Sequence, residues 1–167
     1  PTLIKSSAPT RIDLAGGTID IWPLHLFFGN APTLNAAINL YATVEVIPRN
    51  DKRIILRSQD LKIEVSFSSL SALPDKHPLE LLTRTVKFYS PKSGLEIFTH
   101  CQAPSGSGIG GSSALNIALH GALNKFTGTR YRKSEMIDIA KNIETQVIGV
   151  PAGCQDYFPA MYGSVRA

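Results

Sequence analysis

The chain has 167 residues, 43% of them hydrophobic, and 17 Lys and Arg against 13 Asp and Glu give a formal net charge of +4. That is enough apolar content for one buried core, which excludes a disordered chain, and no basic run exceeds Arg130 to Lys133, so no nucleic-acid footprint is present. No stretch reaches the roughly 18 apolar residues of a membrane span, and Cys101 and Cys154 form neither a C-x-x-C pair nor a metal-type cluster, which predicts inert thiols in a reducing, cytoplasmic setting.

From Arg11 to Leu14 polar and apolar residues alternate, which predicts a strand with Arg11 and Asp13 on one face and Ile12 and Leu14 entering the core. Gly16 and Gly17 break it. The apolar piece Ile21 to Phe28 is interrupted by Pro23 and His25; Trp22, Phe27 and Phe28 serve either core or interface packing, the commoner use, or the wall of a pocket beside Asp20. A β-type run spans Ala37 to Ile47. Leu61, Ile63, Val65 and Phe67 alternate with Lys62, Glu64 and Ser66 as in a half-buried strand, with Arg53 to Ser58 as its pairing partner. Pro78 opens a predicted helix through Phe88, and Gly94 starts a strand that runs to Cys101. His25, His77, His100 and His120 show no metal-ligand spacing, which leaves them to surface or core packing.

The segment Pro104-Ser105-Gly106-Ser107-Gly108-Ile109-Gly110-Gly111-Ser112-Ser113-Ala114-Leu115 leads into the apolar run that ends at Phe126. Glycines let successive backbone N–H groups turn toward one point, and the helix that follows adds its unpaired donors and dipole, so the segment predicts an anion cradle with phosphate as guest. A Walker-type loop would close with Lys, and none is here. Gly106, Gly108 and Gly111 satisfy G-x-G-x-x-G, but Pro104 and Ser105 separate them from the strand. The first acidic residue beyond is Glu135, so a dinucleotide fingerprint is the weaker reading.

A second helix is predicted over Ser134 to Ile148, with Met136, Ile139, Ala140, Ile143, Val147 and Ile148 on one side. At about 100° per residue Glu144 falls inside that apolar arc. An inward carboxylate needs a partner. It is either an ion pair or cap, or a ligand for Mg²⁺, which takes a carboxylate, a hydroxyl and phosphate oxygens. Asp156, in the loop Val150-Pro151-Ala152-Gly153-Cys154-Gln155-Asp156, is a turn former or helix cap, or a chemical group brought near the ligand by its glycine-rich surroundings.

In combination, Ala8 to Asp20, Pro104 to Leu115, and Gly149 to Asp156 with Glu144 upstream resemble, in order, three segments of the GHMP kinase superfamily. The resemblance implies an α+β fold like the second domain of a ribosomal small-subunit protein. It makes residues 1–167 an N-terminal, ATP-binding domain whose C-terminal domain lies outside the chain. The chain starts at Pro1 without Met, which leaves a removed leader open, and Ser164 to Ala167 reads as the start of a strand. A domain alone would be catalytically incomplete, would expose an apolar patch near Ser164 to Ala167, and leaves a homo-oligomer open.

The resemblance further assigns ATP to Pro104 through Ser113, Mg²⁺ to Ser112 and Glu144, catalysis to Asp156 and Arg11, and the acceptor to Gly17, Asp20 and Asp156. Gly111 stands where the family commonly has the first of two serines, so Ser112 is the metal-facing hydroxyl, with Ser113 in that role if the loop shifts by one residue. Arg11 and the Gly16-Gly17-Thr18-Ile19-Asp20 segment favour a sugar or sugar phosphate, in the manner of galactokinase-like, heptose-phosphate and fucose kinases. Two rivals stand beside this reading: a non-catalytic sugar- or nucleotide-binding regulator, and a mevalonate-type kinase or decarboxylase of the isoprenoid branch.

Overall fold

A computed structural model describes residues 2–17, 19–29 and 32–166. In chain order it contains β1 (Ile4–Ala15), α1 (Leu24–Phe28), β2 (Leu34–Pro48), β3 (Ile54–Ser58), β4 (Ile63–Phe67) and α2 (Glu80–Tyr89). It continues with β5 (Leu95–Cys101), α3 (Gly111–Thr127), α4 (Lys133–Ile148), α5 (Tyr157–Tyr162) and β6 (Val165–Arg166). The mixed α+β architecture is the one expected, and among the described residues no helix is long and apolar enough to cross a membrane.

The strands form one sheet in the order β1-β2-β5-β3-β4, with β6 on β2. All neighbours are antiparallel except β3 and β5. Register follows from burial. Val44 faces Thr99, Val46 faces Ile97, and Leu56 faces Ile97 from the other side, all fully buried. One residue along, the opposite face is polar: Lys5 pairs with Glu45 at 2.9 Å, Ser7 meets Thr43 at 3.1 Å, and Arg57 pairs with Glu64 and Glu96. A slip of one residue would exchange these faces, and this fixes the pairing.

Helix α3 packs across β1 and β2 and is itself flanked by α2, α4 and α5. The approach is closest at Gly121, where an added Cβ would sit 2.6 Å from Ser6 Oγ. Ala114, Ala118 and Ala122 keep the same helix thin, while Leu119 and Leu123 are wholly buried. The second predicted helix begins one residue early at Lys133, where the Arg132 N–H donates to Glu135 Oε2 at 2.7 Å. Its apolar arc includes Ile137, but Ile148 is 49% exposed.

Two expectations are corrected. β1 begins at Ile4, and a register shift between Pro9 and Arg11 changes which residues face inward. Thr10 and Arg11 are buried, whereas Ile12 and Leu14 are exposed rather than in the core. Trp22, Phe27 and Phe28 also lie outside the core of this chain, and α1 buries no residue. Beyond the loop that ends at Asp156 a short helix follows, an element for which the sequence pattern carries no expectation. Val165 and Arg166 form the strand expected there, while Ala167, like Thr18 of the first motif, lies outside the described residues.

Behind the sheet, Tyr89 Oη lies 2.9 Å from Nδ1 of the fully buried His120. Burial drives His120 down to about 3. Its folded pKa lies below its unfolded one, so the unfolded chain binds more protons between these values and stability falls as pH drops through that window. Lowering the pH from 7 to 5 should therefore remove about 2 kcal/mol through this residue. We expect His120→Gln to lose correspondingly less over the same interval, read from urea unfolding at both pH values. Equal losses in the two proteins would assign the acid sensitivity elsewhere.

Candidate functional site

The inward turn of β1 sets the site. Arg11 is 7% exposed and reaches two other segments of the chain. Its Nε donates to Asp156 Oδ1 at 2.6 Å, and its Nη1 donates to the Gly108 carbonyl at 2.9 Å, with Asp13 at 3.4 Å. The Arg11 backbone N–H also donates to Ile109 O at 3.0 Å. Two carbonyls of the glycine loop are therefore held by one residue. Gly106, Gly108 and Gly110 all have φ between +70° and +75°, a region open to Gly at little cost. At Gly110 there is a steric reason as well, because an added Cβ would stand 3.2 Å from Arg11 Cγ.

A cavity of about 450 Å³ lies over this arrangement, lined by Arg11, Asp156, Ser112 and the loop from Pro104 through Gly108, with Gly110 and Gly111. Helix α3 begins at Gly111 on its floor, so its unpaired N–H groups and dipole point into a space walled by glycine backbone. Ser112 lines the cavity; Ser113 is 4% exposed and is not part of the lining. Ile109 contributes its carbonyl to Arg11 and is likewise not part of the lining.

Glu144 projects from α4 toward the same region. Tyr157 Oη donates to its Oε2, and Asn116 Nδ2 donates to Tyr157 Oη at 3.4 Å and to Ala140 O at 3.0 Å. This chain of hydrogen bonds fastens α3, α4 and α5 to one another. Burial raises the Glu144 carboxyl above its ordinary value; the Ser112 and Ser113 hydroxyls oppose that rise and the Asp156 charge adds to it. Asp156 is also raised, first by burial, with Arg11 pulling it down and Asp13 and Asp20 pushing it up. Only Oδ1 of Asp156 is held by Arg11, so Oδ2 has no protein partner among the described residues.

Asp20 belongs to a second cavity of about 490 Å³. Its Oδ2 accepts the backbone N–H groups of Cys154 and Gln155, the latter at 2.8 Å, and its Oδ1 is buried without a partner. Gly153 is required there, because an added Cβ would lie within 2.5 Å of the Asp20 carboxylate oxygens. Consecutive residues divide the two cavities: Gln155 lines the second and Asp156 the first. Gly17 lines neither, although it has φ +53°. No local pattern marks Asn35 and Gln155, both buried amides in the second lining, or Tyr157 on Glu144.

A fit for Mg²⁺ rests on the donor set, a Ser hydroxyl and a carboxylate beside a phosphate-sized cradle. Among the described residues no group of three or more His, Cys, Asp or Glu is arranged to hold a metal, so phosphate oxygens and water would have to complete the shell.

The family described as GHMP kinases N terminal domain matches residues 79–164. A D-glycero-alpha-D-manno-heptose 7-phosphate kinase of Campylobacter jejuni is 32% identical over 165 residues, covering 96% of this chain and 48% of that protein. A mevalonate kinase of Methanothermobacter thermautotrophicus is 28% identical over 145 residues, covering 87% of this chain and 44% of that protein. The crystal structure of a D-glycero-D-manno-heptose 1-phosphate kinase from Bacteroides thetaiotaomicron superimposes with a TM-score of 0.87 at 30% identity, over 98% of this chain and 55% of that one. The chain thus spans about half the length of the curated relatives it matches.

Replacing Arg11 by Met keeps much of its volume and its backbone N–H on Ile109 O, but leaves Asp156 and the Gly108 carbonyl without their side-chain donor. We expect a loss of about 1–3 kcal/mol in urea unfolding, together with faster proteolytic cleavage within Pro104 to Gly110. An unchanged cleavage rate would show that the loop is held by its own turns rather than by Arg11.

Proposed function

This chain belongs to the GHMP kinase family, whose members phosphorylate hydroxyl groups of small molecules with ATP, and on that premise we propose that it carries the phosphoryl-transfer site of a sugar or sugar-phosphate kinase. The observation that carries the reading is the Arg11–Asp156 pair set at the rim of the glycine-loop cavity. ATP phosphate oxygens accept from backbone N–H groups of the loop between Ser105 and Ser112, apart from that of Ser107, which bonds Pro104 O. Ser112 and Glu144 are the residues to hold Mg²⁺, which supplies charge neutralisation on the phosphate oxygens.

In this reading the acceptor hydroxyl approaches the unpaired Oδ2 of Asp156. Arg11 fixes the other oxygen and so orients the carboxylate toward the hydroxyl. Transfer through a loose transition state asks mainly for positioning and for charge stabilisation, and the loop supplies these from donors already in place. Asp156 holds the hydroxyl in line and takes its proton as the new O–P bond forms. Burial raises the Asp156 pKa and gives it more proton affinity than an exposed carboxylate, while Arg11 opposes that rise. Activity carried by the ionised form falls as pH drops toward the Asp156 pKa. The same pair also favours an enzyme over a regulator that has lost turnover, since a regulator has no need for an oriented carboxylate with one oxygen open.

The two carboxylates separate by phenotype. In the full-length enzyme, Asp156→Asn should lower kcat by about 100-fold or more with little change in ATP affinity, whereas Glu144→Gln should raise the Mg²⁺ concentration required for half-maximal rate. A third variant tests the cradle. No atom lies within 4 Å of a Cβ added at Gly108, so Gly108→Val meets no clash, but φ +70° is closed to a β-branched residue and the loop must move. Titration calorimetry should then show ATP binding abolished in a folded protein. Near-normal turnover in Asp156→Asn, or unchanged ATP affinity in folded Gly108→Val, would overturn the assignment.

A further inference from the structure

Hydrogen-bond direction around Glu144 is set from the backbone outward. The Ala140 carbonyl can only accept, so the Asn116 atom 3.0 Å from it is the amide nitrogen Nδ2. The second hydrogen of that nitrogen goes to Tyr157 Oη at 3.4 Å. A phenol has a single proton, and with Asn116 donating to its oxygen the Tyr157 proton is left for Glu144 Oε2. Asn116 is 0% exposed and Tyr157 1%, so bulk water does not compete along this chain. The arrangement has a cost, because Asn116 Oδ1 is buried without a partner among the described residues. Turning the amide over would remove nothing of that cost, since it would set Oδ1 against Ala140 O.

The result is a carboxylate with two unequal oxygens. Oε2 has a donor that cannot step aside, because Tyr157 opens α5, and α5 packs on both α3 and α4. Oε1 is the oxygen left for a cation. No Lys, Arg or His pairs with Glu144 among the described residues. The hydroxyls of Ser112 and Ser113 lie close enough to act on the same carboxylate, and Ser112 lines the phosphate-sized cavity. With Oε2 pinned by the phenol, the carboxylate cannot turn both oxygens onto one ion. That restriction separates two cations of equal charge. Mg²⁺ demands near-octahedral angles, which the narrow bite of a single carboxylate does not meet, whereas Ca²⁺ takes about 6–8 oxygens in a flexible shell and accepts both oxygens of one carboxylate.

Resting on the reading of Ser112 and Glu144 as the Mg²⁺ residues of an ATP-dependent kinase, we propose that Tyr157 is a positioning residue that makes this site select Mg²⁺ over Ca²⁺, by reserving Oε2 of Glu144 and leaving one oxygen to the ion. Tyr157 lines neither cavity, so it acts through Glu144 and not by touching nucleotide or acceptor.

The test is calorimetric binding of a non-hydrolysable ATP analogue, loaded with Mg²⁺ or with Ca²⁺, to the full-length protein without acceptor, so that no turnover enters the readout. The metal-free analogue in EDTA is the reference. The wild type should bind the Mg²⁺ form at least about tenfold tighter than the Ca²⁺ form, and Tyr157→Phe should shrink that ratio to about threefold or less. The change should come from tighter binding of the Ca²⁺ form, with affinity for the metal-free analogue unchanged. Asn116→Leu removes the donor that orients the phenol and should move the ratio in the same direction, and it decides the matter if Tyr157→Phe does not fold. A ratio unchanged in the folded variants, or affinity for both metal forms lost by equal factors, would mark a merely structural tyrosine and overturn the proposal while leaving the kinase reading intact. A wild-type ratio near one would do the same. If the wild type bound neither metal form, the kinase reading would fall and the proposal with it.

Discussion

One buried guanidinium holds the site together. Arg11 comes from the first strand, its side chain meets Asp156 near the other end of the chain, and both its backbone and its side chain bind carbonyls of the loop between β5 and α3. Holding the Gly108 and Ile109 carbonyls fixes the course of the loop that walls the cavity. The electrostatics agree with the geometry. A cation beneath the loop, the N-terminus of α3 beside it and an open cavity over both favour an anion at the same point, and Asp156 prevents the guanidinium from being buried unpaired.

The residues legible in the sequence were those whose chemistry depends on local pattern. Gly106, Gly108 and Gly110 announce positive φ before a helix by their spacing alone, and the alternation in Ile63 to Phe67 announces a half-buried strand. Glu144 was legible as an inward carboxylate because α4 has a regular period. Arg11 was legible as a site residue only through resemblance, since alternation sorted it with Asp13 and sent Ile12 inward; the register shift after Pro9 reversed that pattern, and no local residue preference encodes it. Asn35 and Gln155 were illegible for another reason. Their significance is an unfilled hydrogen-bond requirement, and that requirement exists only once the surrounding elements remove water from them. Gly17 shows the converse, a motif residue whose neighbourhood in space is not that of its neighbour Asp20.

The two cavities are joined by a short run of backbone. Asp20 clamps the N–H groups of Cys154 and Gln155, and the next residue is Asp156. The same carboxylate that faces the second cavity therefore sets the position of the group that faces the first. Tyr157, one residue later, bonds Glu144 and is reached by Asn116 from α3. Residues 154 to 157 thus alternate between two jobs, with backbone and side chains committed to different partners, which explains why so short a segment tolerates a helix only after Asp156.

The Arg11–Asp156 pair spans a sequence separation of 145 residues. On the ribosome the chain emerges from its N-terminus, so β1, β2 and the glycine loop are all made before the carboxylate that completes the pair. Throughout that interval Arg11 has no Asp156 to neutralise it and the loop lacks its full anchor. The site therefore closes late, after β1 to β5 and α2 to α4 have been made, and closure by so distant a contact carries a loop-entropy cost. A nascent chain stalled before Asp156 would have β1 to β5 but not the carboxylate that meets Arg11, so that translation itself sets the moment at which the two ends of the chain can pair.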